Sequence, residues 1–164
     1  MNKTLVGIIV AVVVLVGGFF ALNSYIYNEK QADVAADYKS AEYVIEGKRV
    51  KLGTGGTQYF GNEVRKDLNG DGREDIIFLL TQNSGGSGTF FYVVAALNEG
   101  NGYVGTNAVF LGDRIAPQTT ESGAGDSIIV NFADRKLDEP MTARPSVGKS
   151  MWLKIKDNTL QAAK

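Results

Sequence analysis

The sequence predicts a mainly β protein: one antiparallel β-sandwich or small barrel, preceded by an N-terminal transmembrane helix. Three observations lead to this fold class. Residues 5–22 are almost wholly apolar, residues 42–164 contain short runs of strand-forming residues with polar, glycine-rich segments between them, and the 164-residue chain has no cysteine. Short, regularly spaced strands separated by turn signals are typical of antiparallel sandwiches and barrels.

Residues 1–28 are predicted to form a signal anchor. No charged residue occurs between Lys3 and Glu29. The apolar run within this interval covers about 27 Å as a helix, close to the roughly 30 Å hydrocarbon core of a bilayer. Tyr25 and Tyr27 follow the run, where aromatic rings favour the headgroup layer, and the basic flank at Lys3 should remain in the cytoplasm. The sequence therefore predicts a single-pass protein with its domain outside the cytoplasm.

A cleaved secretory signal is the alternative to a retained anchor. The apolar region of such a signal normally runs about 7 to 15 residues and ends in a small-x-small site. This run is longer, and the Val-Ala-Ala at residues 34–36 lies well past its end. A lipid-modified lipoprotein is excluded because the chain has no cysteine. Both alternatives export residues 30–164.

Residues 29–41 are predicted to be a juxtamembrane stalk or linker. They are rich in helix formers, with Val34 and Tyr38 one turn apart, but a helix this short is marginal in water and a disordered tether is an equal alternative. The exported β domain is placed at residues 42–164, a length that can bury about two thirds of its unfolded-chain surface. The net charge of −1 and the scattered basic residues exclude a basic stripe, so no nucleic-acid partner is expected.

The central strands are predicted at residues 75–81 and 89–97, which are continuous apolar runs of strand length. Such runs indicate strands that are covered on both faces. The polar segment 82–88 between them cannot hold a helix and should close an antiparallel hairpin. A tight turn at residues 46–48 should split another strand-forming stretch. The complete set of predicted strand-forming stretches is 43–52, 75–81, 89–97, 103–111, 127–133 and 150–156.

Two predicted strands end in the same dipeptide, at Asp113-Arg114 and at Asp134-Arg135. One interpretation is a pair of corners that frames a single site. The preferred interpretation is that each Asp-Arg pair caps its own turn in solvent, where such pairs contribute about 0 to 1 kcal/mol.

The segment from Asp67 to Asp75 is the strongest candidate for a site. It places side-chain oxygens at loop positions one, three, five and nine and a glycine at position six, a spacing suited to a hard cation such as calcium. Three carboxylates within one turn repel each other, and a divalent ion would convert that repulsion into coordination. The alternative is an Asx-turn hairpin, in which the Asp and Asn side chains bond their own backbone without a metal.

The Asp-x-Asn-x-Asp-Gly-x-x-Asp pattern resembles the calcium loops of FG-GAP and VCBS repeat proteins. The resemblance implies side-chain oxygens from three aspartates and one asparagine, and a backbone carbonyl from Arg73. An EF-hand is a poorer match because position twelve is Phe78, which cannot supply a bidentate carboxylate. The predicted calcium ligands are Asp67, Asn69, Asp71, Arg73 and Asp75.

A second resemblance covers most of the exported domain, from Tyr59 to Trp152. With its segments 111–120 and 133–142, this stretch is similar to a family of uncharacterised exported bacterial proteins. The resemblance implies a protein of the bacterial cell envelope, which the predicted anchor would hold in the cytoplasmic membrane, and it implies no activity.

Catalysis has little support in the composition. The chain has no histidine and no cysteine, which excludes His-dependent triads, thiol nucleophiles and ordinary zinc sites. No carboxylate pair is evident, and the glycine-rich segments 53–57 and 84–88 lack the P-loop spacing. Tyr59, Tyr103 and Trp152 could stack on a glycan or a peptide, although a core role is the simpler interpretation for each.

The sequence thus predicts a membrane-anchored binding or structural module of the envelope, with a calcium-stabilised loop and with an envelope protein or a glycan as its partner. An envelope enzyme acting on glycan or peptide is one alternative, and a small subunit of an envelope complex is another.

Overall fold

The structure is a computed structural model that describes residues 34–83 and 85–163. The predicted anchor at residues 1–28 and the first part of the predicted stalk lie outside the described residues. Within the described part of the chain, no helix has the length and apolar character needed to cross a membrane. The described residues belong to one compact unit that begins at Val34.

The described residues are mainly β, as predicted, and their helical structure is limited to one 3-10 turn at Tyr38–Ser40. Their strands are β1 (Glu42–Ile45), β2 (Lys48–Lys51), β3 (Thr57–Lys66), β4 (Asp75–Gln82), β5 (Phe90–Asn98), β6 (Tyr103–Gly105), β7 (Val109–Asp113), β8 (Ala116–Ser122), β9 (Ile128–Asp134), β10 (Val147–Lys156) and β11 (Thr159–Ala162). All strand pairs among them are antiparallel.

The largest sheet has the order β3-β4-β5-β6, with β7 also paired to β5. The two apolar runs are therefore antiparallel neighbours inside the sheet, as predicted, and their register places Ile77 opposite Ala95 and Leu79 opposite Val93. Both strands are almost entirely buried. Their continuous apolar sequence follows from cover on both faces, because alternate side chains enter two different cores.

The first core lies between this sheet and a four-stranded sheet of order β11-β10-β9-β8. Ile77, Leu79 and Val93 from the central strands share it with Val130 and Leu153 of the second sheet. The second core lies on the opposite face, under the β1–β2 hairpin and the 3-10 turn. Here the central strands contribute Ile76, Phe78, Leu80, Tyr92 and Val94, and the covering elements contribute Ala41, Tyr43 and Ile45.

The β1–β2 hairpin has a two-residue turn at Glu46 and Gly47, as the predicted split of this stretch required. Both turn residues have positive φ, 49° and 79°, and Ile45 pairs directly with Lys48. Two positive φ values are the mark of a type I′ turn, which matches the twist of a tight hairpin. The turn places Ile45 and Lys48 on one face, directed at the large sheet.

The segment from Val34 to Ala41 packs on the β domain. Ala35 and Tyr103 exchange backbone hydrogen bonds of 2.8 and 2.7 Å, and Ala41 is buried. The Tyr38 ring meets Phe78 edge-on, with ring centroids 5.7 Å apart. This segment therefore adds backbone pairs at a sheet edge and an aromatic side chain to the second core.

The stretch 103–111, expected as one strand, is interrupted between β6 and β7. Thr106 fixes the interruption: its hydroxyl oxygen accepts a hydrogen bond from Ala95 N at 3.0 Å, and its carbonyl accepts one from Val44 N at 3.1 Å. Ala108 N then donates to Val44 O at 2.7 Å. Residues 106–108 thus pair with β1, a strand that is remote in sequence, although Thr106 N still donates to Ala95 O of β5 at 2.9 Å.

Candidate functional site

The loop between β3 and β4 contains the predicted calcium ligands. Asp67 organises its first half: Oδ1 accepts hydrogen bonds from Gly70 N at 2.8 Å and Asp71 N at 3.2 Å, and Oδ2 accepts one from Gly72 N at 2.9 Å. These backbone donors, that of Gly72 foremost, hold the pKa of the Asp67 carboxyl below its usual value. Gly70 and Gly72 have φ values of 81° and 84°, which favour glycine at both positions.

Asn69 and Asp71 continue the same pattern of local bonds. Asn69 Oδ1 accepts a hydrogen bond from Asp71 N at 3.0 Å, and Asn69 Nδ2 donates to Asp71 Oδ2 at 3.1 Å. Asp71 Oδ1 accepts one from Arg73 N at 2.8 Å, and its other oxygen forms an ion pair of 2.6 Å with the Arg73 guanidinium. Arg73 Nε also donates to Asn98 O at 2.5 Å, which links the loop to the end of β5.

Asp75 differs from the other predicted ligands because it is fully buried. Its Oδ2 accepts a hydrogen bond from Leu68 N at 2.9 Å, and its Oδ1 accepts one from Asn98 N at 2.8 Å. Burial raises the pKa of the Asp75 carboxyl, and these two backbone bonds oppose the rise. The carboxylate therefore ties the base of the loop to the β5–β6 connection.

The structure thus links Asp67 and Asn69 through Asp71, whose backbone N donates to both side chains, and directs Asp75 toward backbone amides at the base of the loop. Within residues 34–83 and 85–163, no three acidic side chains converge in the manner of a metal cage. The donor set nevertheless suits a hard cation, because carboxylate and amide oxygens keep further lone pairs beside these bonds. A cation would compete with the Arg73 guanidinium for Asp71. Calcium binding at the loop stays a prediction.

The two Asp-Arg corners are joined in the structure. Arg135 donates from Nη1 to the carbonyl oxygens of Arg114, at 2.9 Å, and Asp113, at 3.3 Å, and from Nε to Ala143 O at 2.6 Å. The interpretation that each pair caps only its own turn in solvent was therefore incomplete. Three carbonyls within reach of one guanidinium form a structural tie between the end of β7 and the end of β9.

The aspartates of these corners are ionised more readily than usual. The Arg114 guanidinium, in an ion pair of 3.0 Å, lowers the pKa of the Asp113 carboxyl, and the Lys149 ammonium at 2.7 Å lowers the pKa of the Asp134 carboxyl. Their carboxylates bond neighbouring backbone and side chains, which is a structural use of these groups.

A cavity of about 380 Å³ is present beside the tip of the β1–β2 hairpin. Its floor is one face of the large sheet, formed by Gln82 of β4, Phe90 and Tyr92 of β5 and Phe110 of β7. The register explains this grouping, because Gln82 pairs with Phe90 and Phe110 pairs with Tyr92, and directly paired residues share a face. The hairpin forms the opposite wall with Ile45, Glu46, Lys48 and Val50.

The cavity residues were not identified from the sequence as a site. They come from five strands (β1, β2, β4, β5 and β7) and from the β1–β2 turn. The sequence predicts strand-forming stretches and the turn, but not which of them lie side by side. Of the aromatic residues proposed for stacking, Trp152 is 48% exposed on β10, whereas Tyr59 and Tyr103 are partly buried against the second core. A half-exposed aromatic that the sequence did not single out is Phe110, which is 50% exposed.

Comparison of the chain with protein-family models, with curated proteins and with solved structures gave no match.

Proposed function

We propose that this protein is a single-pass membrane protein, with its N-terminus in the cytoplasm, that displays a calcium-stabilised β-sandwich as a binding or structural module of the bacterial envelope. The observation that carries the proposal is the loop from Asp67 to Asp75, with its hard-cation spacing and with side-chain oxygens that accept hydrogen bonds from the loop's own backbone amides. The membrane location is supported by the uncharged, apolar segment between Lys3 and Glu29.

The sandwich architecture is supported by the first core. The face of the large sheet that carries Ile77 and Val93 shares this core with Val130 and Leu153 of the four-stranded sheet. Two sheets that bury a common core face to face are typical of sandwiches. The loop from Asp67 to Asp75 leads directly into β4, so a metal bound there would act on a central strand.

Calcium in the loop would offset the repulsion between carboxylates that are close in sequence. Asp67 and Asp71 would supply carboxylate oxygens and Asn69 its amide oxygen, and the Arg73 carbonyl and Asp75 complete the predicted ligand set. Because only this loop supplies carboxylate ligands that can be recognised in the sequence, we expect a dissociation constant for calcium on the order of 0.1 to 1 mM, as in extracellular modules. The chain has no cysteine and therefore no disulfide, so such an ion would be a non-covalent crosslink that stabilises the folded domain.

Isothermal titration of the full chain with calcium tests the proposal. We expect one calcium site with a dissociation constant in the stated range, a smaller heat of binding with magnesium, and no calcium binding in Asp71→Asn. Asp126→Asn is the matched control, because this exposed carboxylate lies in the β8–β9 turn, outside the loop. Absence of calcium heat in the wild-type chain, or equal binding by the two variants, would overturn the metal assignment.

A further inference from the structure

The cavity beside the β1–β2 hairpin has the chemical make-up of a small-ligand site. Ile45, Val50, Phe90, Tyr92 and Phe110 supply an apolar and aromatic surface, and the remaining lining residues are Glu46, Lys48 and Gln82. Ligand pockets combine a mainly apolar lining with a few placed polar groups and occupy roughly 300–1,000 Å³. At about 380 Å³ the cavity is of a size for one or two small rings.

The polar groups of the cavity are largely without partners inside the protein. Among the described residues, the side chains of Lys48 and Gln82 make no hydrogen bond or ion pair, and Glu46 accepts one long hydrogen bond, from the Tyr92 hydroxyl at 3.5 Å. By contrast, each aspartate carboxylate of the metal loop and of the Asp-Arg corners takes part in hydrogen bonds: Asp67, Asp71, Asp75, Asp113 and Asp134. The cavity therefore offers an acceptor, a cationic donor and an amide to a ligand.

The backbone at Glu46 gives a second, independent observation. Its φ of 49° lies in the left-handed region, which favours Gly, Asn and Asp over glutamate. Asn-Gly would suit the type I′ turn better than the Glu46-Gly47 present here. A residue that fits its local structure poorly is expected where a side chain serves a ligand. The turn holds the Glu46 carboxylate at the mouth of the cavity, next to the Tyr92 hydroxyl.

The geometry points to a neutral pyranose unit of a glycan as the ligand of this cavity, bound with its C–H face on Phe110 and its hydroxyls on Glu46, Lys48 and Gln82. The charges of Glu46 and Lys48 cancel, so the cavity attracts neither a net cation nor a net anion. Vicinal hydroxyls both donate and accept, and they match a set that contains a carboxylate, an ammonium and an amide. The inference rests on the proposed binding role and names its ligand class, but it does not depend on the metal.

The floor explains how a sugar ring would be held. Phe110 is half exposed, and its ring lies 5.3 Å from the Tyr92 ring and 6.4 Å from the Phe90 ring, between centroids. These neighbours fix the orientation of the Phe110 ring and leave one side of it to solvent. A rigid, exposed aromatic surface can bury the apolar face of a ligand at little entropic cost.

Saturation-transfer NMR on the full chain tests the inference, with N-acetylglucosamine and glucose as probes and a detergent that has no sugar headgroup. We expect saturation of the pyranose C–H protons and a millimolar dissociation constant for at least one of these sugars. Phe110→Ala should weaken binding by about tenfold, as expected for loss of an aromatic contact. Phe60→Ala is the matched control, because Phe60 is similarly exposed, at 45%, and does not line the cavity.

Glu46→Asn separates a binding role from a structural one. Asparagine suits the left-handed turn, so the melting temperature should stay the same or rise, while sugar binding should fall at least several-fold. Binding should persist in excess chelator, because no residue from 67 to 75 lines the cavity. A failure of the metal proposal would therefore leave this result intact.

Three results would overturn the inference. The first is no saturation of either sugar at 10 to 20 times the expected dissociation constant, roughly 10 to 20 mM. The second is equal saturation of the sugars by Phe110→Ala and by the wild-type chain, and the third is saturation of tetramethylammonium or free phenylalanine without saturation of either sugar. The last result would identify the cavity as a site for an organic cation or a zwitterion.

Discussion

Replacement of Asp75 by asparagine tests whether this carboxylate acts primarily as a structural acceptor. The wild-type side chain accepts hydrogen bonds from Leu68 N at 2.9 Å and Asn98 N at 2.8 Å and is fully buried. Asparagine can accept one of these bonds, but its NH₂ group would face the other backbone donor. The loss of one hydrogen bond to a charged group should cost about 1.5 to 3 kcal/mol.

Calorimetry of the full chain in excess chelator measures this loss without any contribution from a metal. For a unit of this size the melting temperature should fall by roughly 5 to 15 °C. Asp71→Asn is the matched control, because the same substitution in the same loop keeps the acceptor for Arg73 N. It removes only contacts of Oδ2 at an exposed position: the hydrogen bond from Asn69 Nδ2, and the ion pair with Arg73, which contributes about 0 to 1 kcal/mol. Equal melting temperatures for Asp75→Asn and the wild-type chain in chelator would refute the structural role.

Three further predictions concern other parts of the chain. Arg135→Lys should lower the free energy of unfolding by about 1 to 3 kcal/mol, because one lysine ammonium cannot donate hydrogen bonds to three separated carbonyl oxygens. An unchanged urea midpoint of unfolding would contradict the structural role of the Arg135 guanidinium. Acidification below about pH 4 should lower the melting temperature. The pKa values of Asp113 and Asp134 are lowered in the folded chain, so the unfolded chain binds more protons at these two carboxylates as the pH falls. A melting temperature that stays constant from pH 6 to 3 would argue against their ion pairs. The mature protein should keep its anchor, so its mass should include the N-terminal segment, and a species that begins near Leu22 or Ala36 would show that the signal is cleaved.

The sequence predicted the strands whose environment is uniform along their length. β4 (Asp75–Gln82) and β5 (Phe90–Asn98) are covered on both faces, so nearly every side chain is apolar and the pattern is visible without a partner. The β1–β2 turn was also predictable, because Glu46-Gly47 interrupts an otherwise strand-forming stretch. These elements depend on local sequence alone.

The strands that sequence patterns missed are edge strands with mixed exposure. β3 (Thr57–Lys66) pairs with β4 through two register shifts, so its apolar residues do not alternate, and β8 (Ala116–Ser122) contains proline and mostly polar residues. The break between β6 and β7 was missed for another reason: Thr106 pairs with Val44 and Ala95, and neither contact leaves a signal in the residues around it.

The candidate sites show the same limit. Loop spacing placed Asp67, Asn69 and Asp71 in one loop, and there these side chains bond atoms within five residues of themselves. The buried role of Asp75 depends on Asn98, which is 23 residues away, and could not be derived from spacing. The cavity could not be predicted from the sequence for the same reason, because its floor and its wall are brought together only by the packing of strands that are distant in sequence.

The melting temperature of the full chain with calcium and then with excess chelator is the most direct test of the calcium-stabilised module. A ligand that binds only the folded state stabilises it by RT ln(1 + [L]/Kd), about 1.4 kcal/mol at tenfold excess over Kd, so calcium should raise the melting temperature by a few degrees. The increment should reverse with chelator, be smaller with magnesium and vanish in Asp71→Ala. Identical melting curves with calcium and with chelator would contradict the account and leave residues 67–75 as a loop held by its own hydrogen bonds.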